Sequence, residues 1–148
     1  MNTQIQGITF RIIDKNIHYL LLKRKKNKGD FWQPICGRLK KGESHLQGVF
    51  REVYEETGII RKEILRIIPQ VYHFEMNNHY LTNEQIPKVV EYVYGVEVHN
   101  LVQVDITKNQ SYEHEDFIWV DYRRAMKMLK WKDNKIALEK LNTIIDQS

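Results

Sequence analysis

The sequence predicts a single α+β domain over residues 1–148, in which one mixed β-sheet packs with helices. Segments rich in β-branched and aromatic residues indicate strands, one central stretch carries helix caps at both ends, and apolar residues near the end of the chain recur at helical spacing. A chain of 148 residues is long enough to bury one core and too short for two domains of ordinary size. Its 42% hydrophobic and 28% charged residues favour a folded chain.

The first two predicted strands form a hairpin. Residues 3–13 and 17–25 are rich in β-branched and aromatic side chains, and they flank Asp14-Lys15-Asn16. Aspartate and asparagine suit a tight turn, because their side chains hydrogen-bond to nearby backbone groups. The two strands are therefore expected to pair with each other.

Three further strands are predicted after the central helix, at residues 64–76, 88–99 and 115–121. Pro69 lies inside the first of them and cannot donate a hydrogen bond to a neighbouring strand, so it marks a bulge or an edge. Residues 82–88 are expected to form a loop between two of these strands. Together with the hairpin, these segments predict a mixed sheet.

The central helix is predicted over about residues 45–57. Ser44 and Gln47 have the spacing of a capping box, and Gly58 is placed to adopt the left-handed conformation that ends many helices. At about 100° per residue, Glu52, Glu55 and Glu56 fall on one side of this helix. The opposite side is predicted to face the core and carries Leu46, Phe50, Val53, Tyr54 and Thr57.

Gly48 lies one turn before Glu52, where a missing side chain is expected to leave room for a bulky anion. A second helix is predicted at the end of the chain, because apolar residues recur there at helical spacing. These residues are Leu138, Leu141, Ile144 and Ile145.

Carboxylates that crowd one helix face repel one another, and a divalent cation relieves that repulsion. Oxygen ligands without histidine or cysteine favour Mg²⁺ or Mn²⁺, which also bind substrate phosphates. The alternative is a solvated helix face, on which the glutamates pair with Arg51 and nearby lysines.

The residues around the helix favour the metal site. Gly37 is followed six residues later by Glu43. Eight residues further on comes a run with five exact positions, Arg51, Glu52, Glu55, Glu56 and Gly58, and two apolar positions, Val53 and Ile59. This spacing matches every position of the Nudix signature, so the chain resembles a Nudix hydrolase. The resemblance implies an α/β/α sandwich with a mixed β-sheet and a catalytic helix, which the flanking strands, residues 31–34 and the C-terminal helix suit.

The resemblance also implies roles for individual residues. Glu52, Glu55 and Glu56 match the metal-binding carboxylates of the family, Gly37 matches a carbonyl ligand, and Arg51 matches the residue that braces the acidic cluster. Glu43 is expected to contact the metal-binding residues without binding the metal itself. The common Pro-Gly-Gly entry to the motif is absent, since Ile35 and Cys36 separate Pro34 from Gly37.

Outside the motif, Glu113 matches the glutamate of a Glu-His pair in the Nudix branches that hydrolyse dihydroneopterin triphosphate and diadenosine tetraphosphate. The resemblance makes Glu113 a candidate further metal ligand or general base. Glu115 competes for this role, and an exposed loop acid is the alternative. His114 is the one histidine for which a simple surface or core position is not preferred. Arg24 is a candidate phosphate ligand, although a solvated strand end explains its basic surroundings equally well.

The three tryptophans are candidates for either core or pocket positions. Trp119 alternates with Phe117 in a predicted strand and is expected to be part of the core. Trp32 and Trp131 lie at the ends of elements, where a ring can stack on a base or a pterin. Residues 131–138 resemble a pattern of the dihydroneopterin triphosphate enzymes, which adds Asn134 to the candidate substrate-binding residues.

The expected function is metal-dependent hydrolysis of a diphosphate linkage in a nucleotide or pterin triphosphate, with release of pyrophosphate and a monophosphate. The alternatives are a dinucleoside polyphosphate hydrolase, an RNA 5′-pyrophosphohydrolase, which the net charge of +4 makes conceivable, and a nucleotide-sensing module without turnover. The single Cys36 and the absence of a long apolar run predict a cytoplasmic protein that spans no membrane. We expect a monomer or a homodimer.

Overall fold

The computed structural model describes residues 2–76, 88–108 and 113–147. Seven strands belong to one sheet. Their bounds are β1 (Asn2–Ile13), β2 (Asn16–Arg24), β3 (Trp32–Gln33), β4 (Ile35–Arg38), β5 (Ile64–Met76), β6 (Val89–Val98) and β7 (His114–Val120). Three α-helices follow the chain order α1 (His45–Thr57), α2 (Tyr122–Met128) and α3 (Lys132–Asp146).

The sheet is mixed, as predicted. Its main order is β3-β2-β1-β6-β5, with β4 paired to β1 and β7 paired to β2. The pairing of β1 with β6 is parallel, and the other pairings are antiparallel. The predicted hairpin of β1 and β2 is confirmed, and its turn places Asp14 and Lys15 at φ values of 49° and 69°.

Pro69 lies where the prediction puts a bulge or an edge, and the structure shows both. The register of β5 against β6 shifts between Ile68 and Tyr72, and Gln70 has a φ of 55°. β5 is also the last strand in the sheet order, so Pro69 removes no hydrogen bond from a central strand. The predicted loop at residues 82–88 lies almost wholly outside the described residues.

Helices cover both faces of the sheet, which confirms the α/β/α sandwich. On one face, Val49 and Val53 of α1 pack with Ile5 and Leu20 of the sheet. The other face carries α2 and α3, whose buried residues join a second core cluster. Members of that cluster from the two helices are Ala125, Ala137, Leu138, Leu141 and Ile145.

The caps of α1 are those predicted. The Gln47 amide N–H donates to Ser44 Oγ at 3.1 Å, and the Ser44 amide N–H donates to Gln47 Oε1 at 2.9 Å. Gly58 ends the helix with a φ of 75°, a conformation that a residue without Cβ adopts at little cost. These two caps fix where α1 begins and ends.

The predicted core face of α1 is partly wrong. Leu46 and Tyr54 are 47% and 48% exposed, whereas Glu52 and Glu56 are buried. α1 lies on the sheet with Val49 and Val53 against one part of it, and its neighbouring stripe of carboxylates against β4 and β7. Two of the three carboxylates on the acidic side are therefore buried together with the apolar side.

Gly48 also differs from the prediction. A Cβ atom at this position would lie 2.6 Å from Leu39 Cδ1 and 2.8 Å from Ile5 Cδ1. The space beside Gly48 is filled by the protein itself, so this glycine permits close packing of α1 on the sheet and leaves no room for an anion.

Helix α2 and the short strands β3 and β4 are not among the predicted elements. In α3, Leu138, Leu141 and Ile145 are buried as predicted, while Ile144 is mostly exposed. Trp119 is half-buried against the α1-side core, as expected, and the Arg11 guanidinium lies 4.2 Å from its ring centre. None of the helices in the described parts of the chain is long and apolar enough to cross a membrane.

Candidate active site

Arg51 joins the acidic residues of α1 to the segment that precedes it. Its Nε donates to Glu43 Oε2 at 2.6 Å, and its Nη2 donates to Glu43 Oε1 at 2.9 Å and to the Arg38 carbonyl at 2.9 Å. Its Nη1 donates to Glu52 Oε1 at 2.8 Å and to Glu55 Oε2 at 3.3 Å. One guanidinium therefore fixes three carboxylates and a carbonyl, which is the bracing role that the motif implies.

The charges of this cluster perturb one another. Burial raises the pKa of Glu52 to about 7; Arg51 opposes this increase, and the nearby Glu56 and Glu55 carboxylates add to it. The hydrogen bond to Glu43 holds the pKa of Arg51 above its usual range, and the same bond lowers the pKa of Glu43. A single arginine thus leaves the buried Glu52 short of positive charge, and a divalent cation would supply it.

Gly37 lies directly against Glu52. A Cβ atom built on Gly37 would stand 2.1 Å from Glu52 Oε1 and 2.5 Å from Oε2. The register of β4 against β1, which pairs Gly37 with Ile5, turns this residue toward α1. Any side chain here would occupy the place of the carboxylate, so glycine is required by contact and not by backbone conformation.

A buried polar chain leads from α1 to β7 and β3. Nδ1 of His114 lies 2.8 Å from Glu56 Oε2, although the approach lacks the angle of a hydrogen bond. Nε2 of His114 lies 3.0 Å from Nε2 of Gln33. Potential ligand atoms of Glu56, Glu113 and His114 all lie within 4.8 Å of one another. Three elements distant in sequence therefore converge beside the catalytic helix.

Glu113 and Glu115 have different surroundings. Glu113 Oε2 lies 3.5 Å from Arg24 Nη1, and Glu113 belongs to the cluster with Glu56. Glu115 Oε1 lies 3.5 Å from Lys23 Nζ and is exposed. Of the two candidates, only Glu113 is brought to the carboxylates of α1.

Arg24 reaches the same place from β2. Its Nε donates to the Lys28 carbonyl at 2.7 Å, which holds the side chain across a short turn, and its Nη1 faces Glu113. A guanidinium fixed beside a cluster of carboxylates is suited to contact a phosphate that a metal draws into that cluster.

The other candidate substrate residues lie on the α3 side of the sheet. Trp32 is half-buried and packs on the α3-side core. Trp131 is 37% exposed, and its ring meets Phe31 edge-on at 5.6 Å. Asn134 is buried in the first turn of α3. These three residues therefore border the sheet face opposite to α1. Phe31 lies between Trp131 and Arg24, whose guanidinium faces Glu113.

The donors present fit a hard divalent cation. Glu52, Glu56 and Glu113 offer carboxylate oxygens, and Gly37 offers a backbone carbonyl, which are the ligand types that Mg²⁺ and Mn²⁺ prefer. Neither His114 nor Gln33 has a role predicted from the sequence. The Glu-His pair at residues 113–114 was the available signal for His114, whereas Gln33 has no signal in the sequence alone.

The chain is similar to proteins of one known family. A family model described as NUDIX domain matches residues 6–141. The octanoyltransferase of Myxococcus xanthus is 33% identical over 113 residues, which cover 76% of this chain and 29% of that protein. The asymmetrical bis(5'-nucleosyl)-tetraphosphatase of Sus scrofa is 30% identical over 127 residues, which cover 86% of this chain and 80% of that protein.

A solved structure extends the comparison to the fold. The E. coli dihydroneopterin triphosphate pyrophosphohydrolase superimposes with a TM-score of 0.75 at 24% identity, over 93% of this chain and 92% of that chain. The family model covers all the elements that form the site, from β1 to α3. The chain belongs to the Nudix family and is a Nudix pyrophosphohydrolase.

Proposed function

We propose that this protein hydrolyses a triphosphate that carries a flat heterocycle, with Mg²⁺ or Mn²⁺ as cofactor, and releases pyrophosphate and a monophosphate. The observation that carries the proposal is that Glu56 and Glu113 converge, while Glu52 on the same helix lies against Gly37 and is braced by Arg51. We further propose that residues 1–148 act as one domain in the cytoplasm, where a reducing environment suits the single thiol of Cys36.

A divalent ion at such a site binds the phosphates, lowers the pKa of a water molecule and neutralises charge that develops on the phosphoryl oxygens. Glu52, Glu55, Glu56 and Glu113 would hold it, together with the Gly37 carbonyl. Glu55 is the half-exposed member of this set and lies at the outer edge of the cluster, 3.9 Å from Lys40 Nζ.

The protein side chains have separate tasks in this proposal. Arg51 fixes Glu52 so that its carboxylate keeps one position while substrate binds. His114 lies against Glu56 and restricts the orientation of that carboxylate. Glu113 accepts a proton from the attacking water or holds an ion, and Arg24 beside it contacts a phosphate oxygen.

The heterocycle is expected on the other side of β4, near Trp131 and Asn134. The Trp131 ring is 37% exposed, with Phe31 against it edge-on and Lys130 Nζ 4.8 Å from its centre. A heterocycle that stacked on this ring in place of Lys130 would gain about 1 to 3 kcal/mol, as bases do in comparable sites. The pattern around Asn134 and the Glu113-His114 pair support a pterin triphosphate, as in the E. coli enzyme of similar fold.

A dinucleoside polyphosphate is the second candidate substrate. Its support is the relative from Sus scrofa, a bis(5'-nucleosyl)-tetraphosphatase that the chain matches over most of both lengths. A sensing module without turnover is the less favoured alternative, because Glu52, Glu55 and Glu56 are all retained.

A substrate panel tests the proposal. Dihydroneopterin triphosphate, the four common dNTPs, diadenosine tetraphosphate, ADP-ribose and 5′-triphosphorylated RNA are compared by kcat/KM with Mg²⁺, Mn²⁺ and EDTA, and the products are identified. We expect turnover only with metal, pyrophosphate as product, and the highest kcat/KM for a triphosphate. Diadenosine tetraphosphate leading by tenfold would favour the second candidate, and no turnover of any compound would refute both.

Glu52→Gln and Glu56→Gln serve as inactive references in the same panel. An amide keeps the shape of the side chain and loses the charge that holds a cation, so each variant is expected to lose several kcal/mol of transition-state stabilisation, which corresponds to a rate loss of roughly a thousandfold. Glu139→Gln, on the exposed side of α3, is the matched control and is expected to keep full activity.

A further inference from the structure

A buried pair of polar side chains lies on the sheet face opposite to α1. Gln6 of β1 and Glu91 of β6 are 1% and 3% exposed, and Nε2 of Gln6 donates a hydrogen bond to Oε2 of Glu91. The two residues are 85 positions apart in sequence. A glutamate this deeply buried is uncommon unless a cation or a ligand accompanies it.

The strand registers place this pair at the N-terminal end of α3. In one row across the sheet, Gln6 lies between Cys36 of β4 and Val93 of β6, and Val93 is paired with Tyr72 of β5. Glu91 is two residues from Val93 on the same face. The Tyr72 hydroxyl donates to Asp133 in the first turn of α3 at 3.0 Å. Helix α3 therefore covers the sheet up to this row and begins beside it.

The pair is incompletely satisfied within the described parts of the chain. Gln6 Oε1 is buried and has no hydrogen-bond partner there. No lysine, arginine or histidine among these residues forms an ion pair with Glu91; its described hydrogen-bond donors are the amides of Gln6 and Gln4. Burial raises the pKa of Glu91 to about 7. Gln6 Oε1 thus lies beside the Glu91 carboxylate as a buried acceptor that has no donor among the described residues.

Cys36 connects this pair to the catalytic carboxylates. Residues 36 and 37 are consecutive in β4, so Cys36 faces α3 while Gly37 faces Glu52. Burial raises the pKa of the Cys36 thiol, and the carboxylate of Glu91 on one side and those of Glu56 and Glu52 on the other add to the increase. The pair therefore lies one short strand away from the proposed metal site.

Two aromatic rings border the same region. Tyr72 and Phe74 of β5 stack with their ring centres 5.6 Å apart, and Phe74 is paired directly with Glu91 across the strands. Both rings share the sheet face of the buried pair. A flat ring placed over this part of the sheet would meet aromatic surface at its side and hydrogen-bond acceptors at its edge.

We propose that Gln6 and Glu91 bind the edge of the substrate heterocycle and select a ring with two adjacent N–H donors. A 2-amino-4-oxo pyrimidine ring has this edge, and guanine and pterins contain it. One of these donors would bond to Gln6 Oε1, which lacks a partner among the described residues, and the other to the neighbouring Glu91 carboxylate, since a charged acceptor strengthens such a bond. This inference rests on the proposed function and identifies the class of heterocycle at the same site.

Guanine and hypoxanthine nucleotides test the inference, because hypoxanthine lacks only the 2-amino group. Steady-state kinetics with dGTP and dITP are compared with calorimetric binding of dGMP and dIMP in EDTA. We expect a KM for dGTP at least tenfold below that for dITP, with a similar kcat for the two substrates. We also expect dGMP to bind more tightly than dIMP. A polar site rejects an analogue that leaves its buried groups unpaired.

Glu91→Gln is expected to reduce the preference for dGTP over dITP, measured as the ratio of their KM values, to less than threefold. Gln6→Met removes the unpartnered oxygen at similar size and is expected to act in the same direction. Glu97→Gln is the control, since Glu97 lies six residues along β6, pairs with Arg66, and should not affect the preference. Thermal unfolding of each variant establishes that it is folded.

Equal KM values for dGTP and dITP in the unaltered protein would overturn the inference, as would a preference that persists in both Glu91→Gln and Gln6→Met. A tighter complex with dAMP than with dGMP would also overturn it. Failure of the proposed function has a different signature, which is no hydrolysis of any triphosphate with Mg²⁺ or Mn²⁺. The monophosphate titrations then still decide whether the heterocycle edge is recognised.

Discussion

The carboxylate of Glu43 accepts two hydrogen bonds from the guanidinium of Arg51, one from Nε at 2.6 Å and one from Nη2 at 2.9 Å. This forked contact orients the guanidinium so that Nη1 faces Glu52 at 2.8 Å. The position of a proposed metal ligand is thus set by a residue eight positions before Arg51. A lysine cannot reproduce this arrangement, because its ammonium is a single point of charge.

Arg51→Lys should therefore retain the charge and lose the orientation of Glu52. Hydrogen bonds to charged groups contribute about 1.5 to 3 kcal/mol each, so loss of one in the transition state lowers kcat by roughly 10- to 100-fold. Titration of activity with Mn²⁺ should show a higher concentration for half-maximal rate. Arg66→Lys, which alters an ion pair with Glu97 far from the site, is the control. An unchanged kcat in Arg51→Lys would show that Arg51 is not needed to orient Glu52.

The residue types and spacing of residues 44–58 were enough to predict α1, its caps and the carboxylates on its acidic side. It did not predict that Glu52 and Glu56 are buried while Leu46 and Tyr54 are exposed. Helical periodicity treats the carboxylates as a solvated face. Which side of a helix is buried depends on how the helix is rotated against the sheet. For α1, the contacts of its carboxylates with β4 and β7 accompany that rotation.

Other features were missed because they depend on pairings distant in sequence. The hydrogen bond of Gln6 to Glu91 links strands that are neighbours only in the folded sheet, and Gln33 reaches His114 in the same way. Helix α2 has seven residues and one side-chain cap, from Asp121, so its periodicity is too short to stand out. The short β4 was recognised as part of the motif and not as a strand.

Gly37→Ala tests the contact between β4 and α1. The added methyl group would overlap the Glu52 carboxylate, and neither β4 nor the braced α1 can move aside freely. We expect a loss of activity of about 100-fold, since small displacements of reacting groups have effects of that size. The φ of Gly37 is not positive, so backbone strain does not contribute.

Gly42→Ala is the matched control for that experiment. Gly42 has a φ of 80° and no atom within 4 Å of an added Cβ. This variant should lose about 1 to 2 kcal/mol of stability through backbone strain and should keep its turnover. If Gly37→Ala retained full activity with normal metal dependence, the proposed position of Glu52 at the metal would be wrong.

Glu113→Gln and Glu115→Gln form a natural pair, because the two residues share one short segment and meet different partners. Glu113→Gln should lower kcat by at least 100-fold and change KM little, since a base or a metal ligand acts mainly in the transition state. Glu115→Gln breaks only an exposed contact with Lys23 and should stay within twofold of the unaltered protein. The reverse result would transfer the role to Glu115.

The last prediction concerns the pH dependence of stability and the buried Glu91. The groups that face it are the amides of Gln6 and Gln4 from β1, Asp133 from α3 and the thiol of Cys36 from β4. None of these carries a positive charge, and burial raises the pKa of Glu91 from 4.5 to about 7. The folded state therefore binds a proton that the unfolded state releases at lower pH.

The direction of the change in stability with pH follows from this difference in the pKa of Glu91 between the folded and unfolded states. Below pH 4.5 both states are protonated, and the stabilising effect of the proton in the folded state is lost as pH rises from about 4.5 through about 7. Glu91→Gln has no charge to bury at any pH. Its stability relative to the unaltered protein should therefore increase between pH 5 and pH 8 by on the order of 2 to 3 kcal/mol.

Urea unfolding in EDTA at pH 5, 6, 7 and 8 measures this difference directly. Glu52 also has a raised pKa, but it is present in both proteins, so its contribution cancels when the two curves are subtracted. Parallel stability curves would show that Glu91 is ionised in the folded state throughout this range. A difference that grows as pH rises above 5, with no change in the slope of the urea dependence, would locate the effect of Glu91 in the folded state.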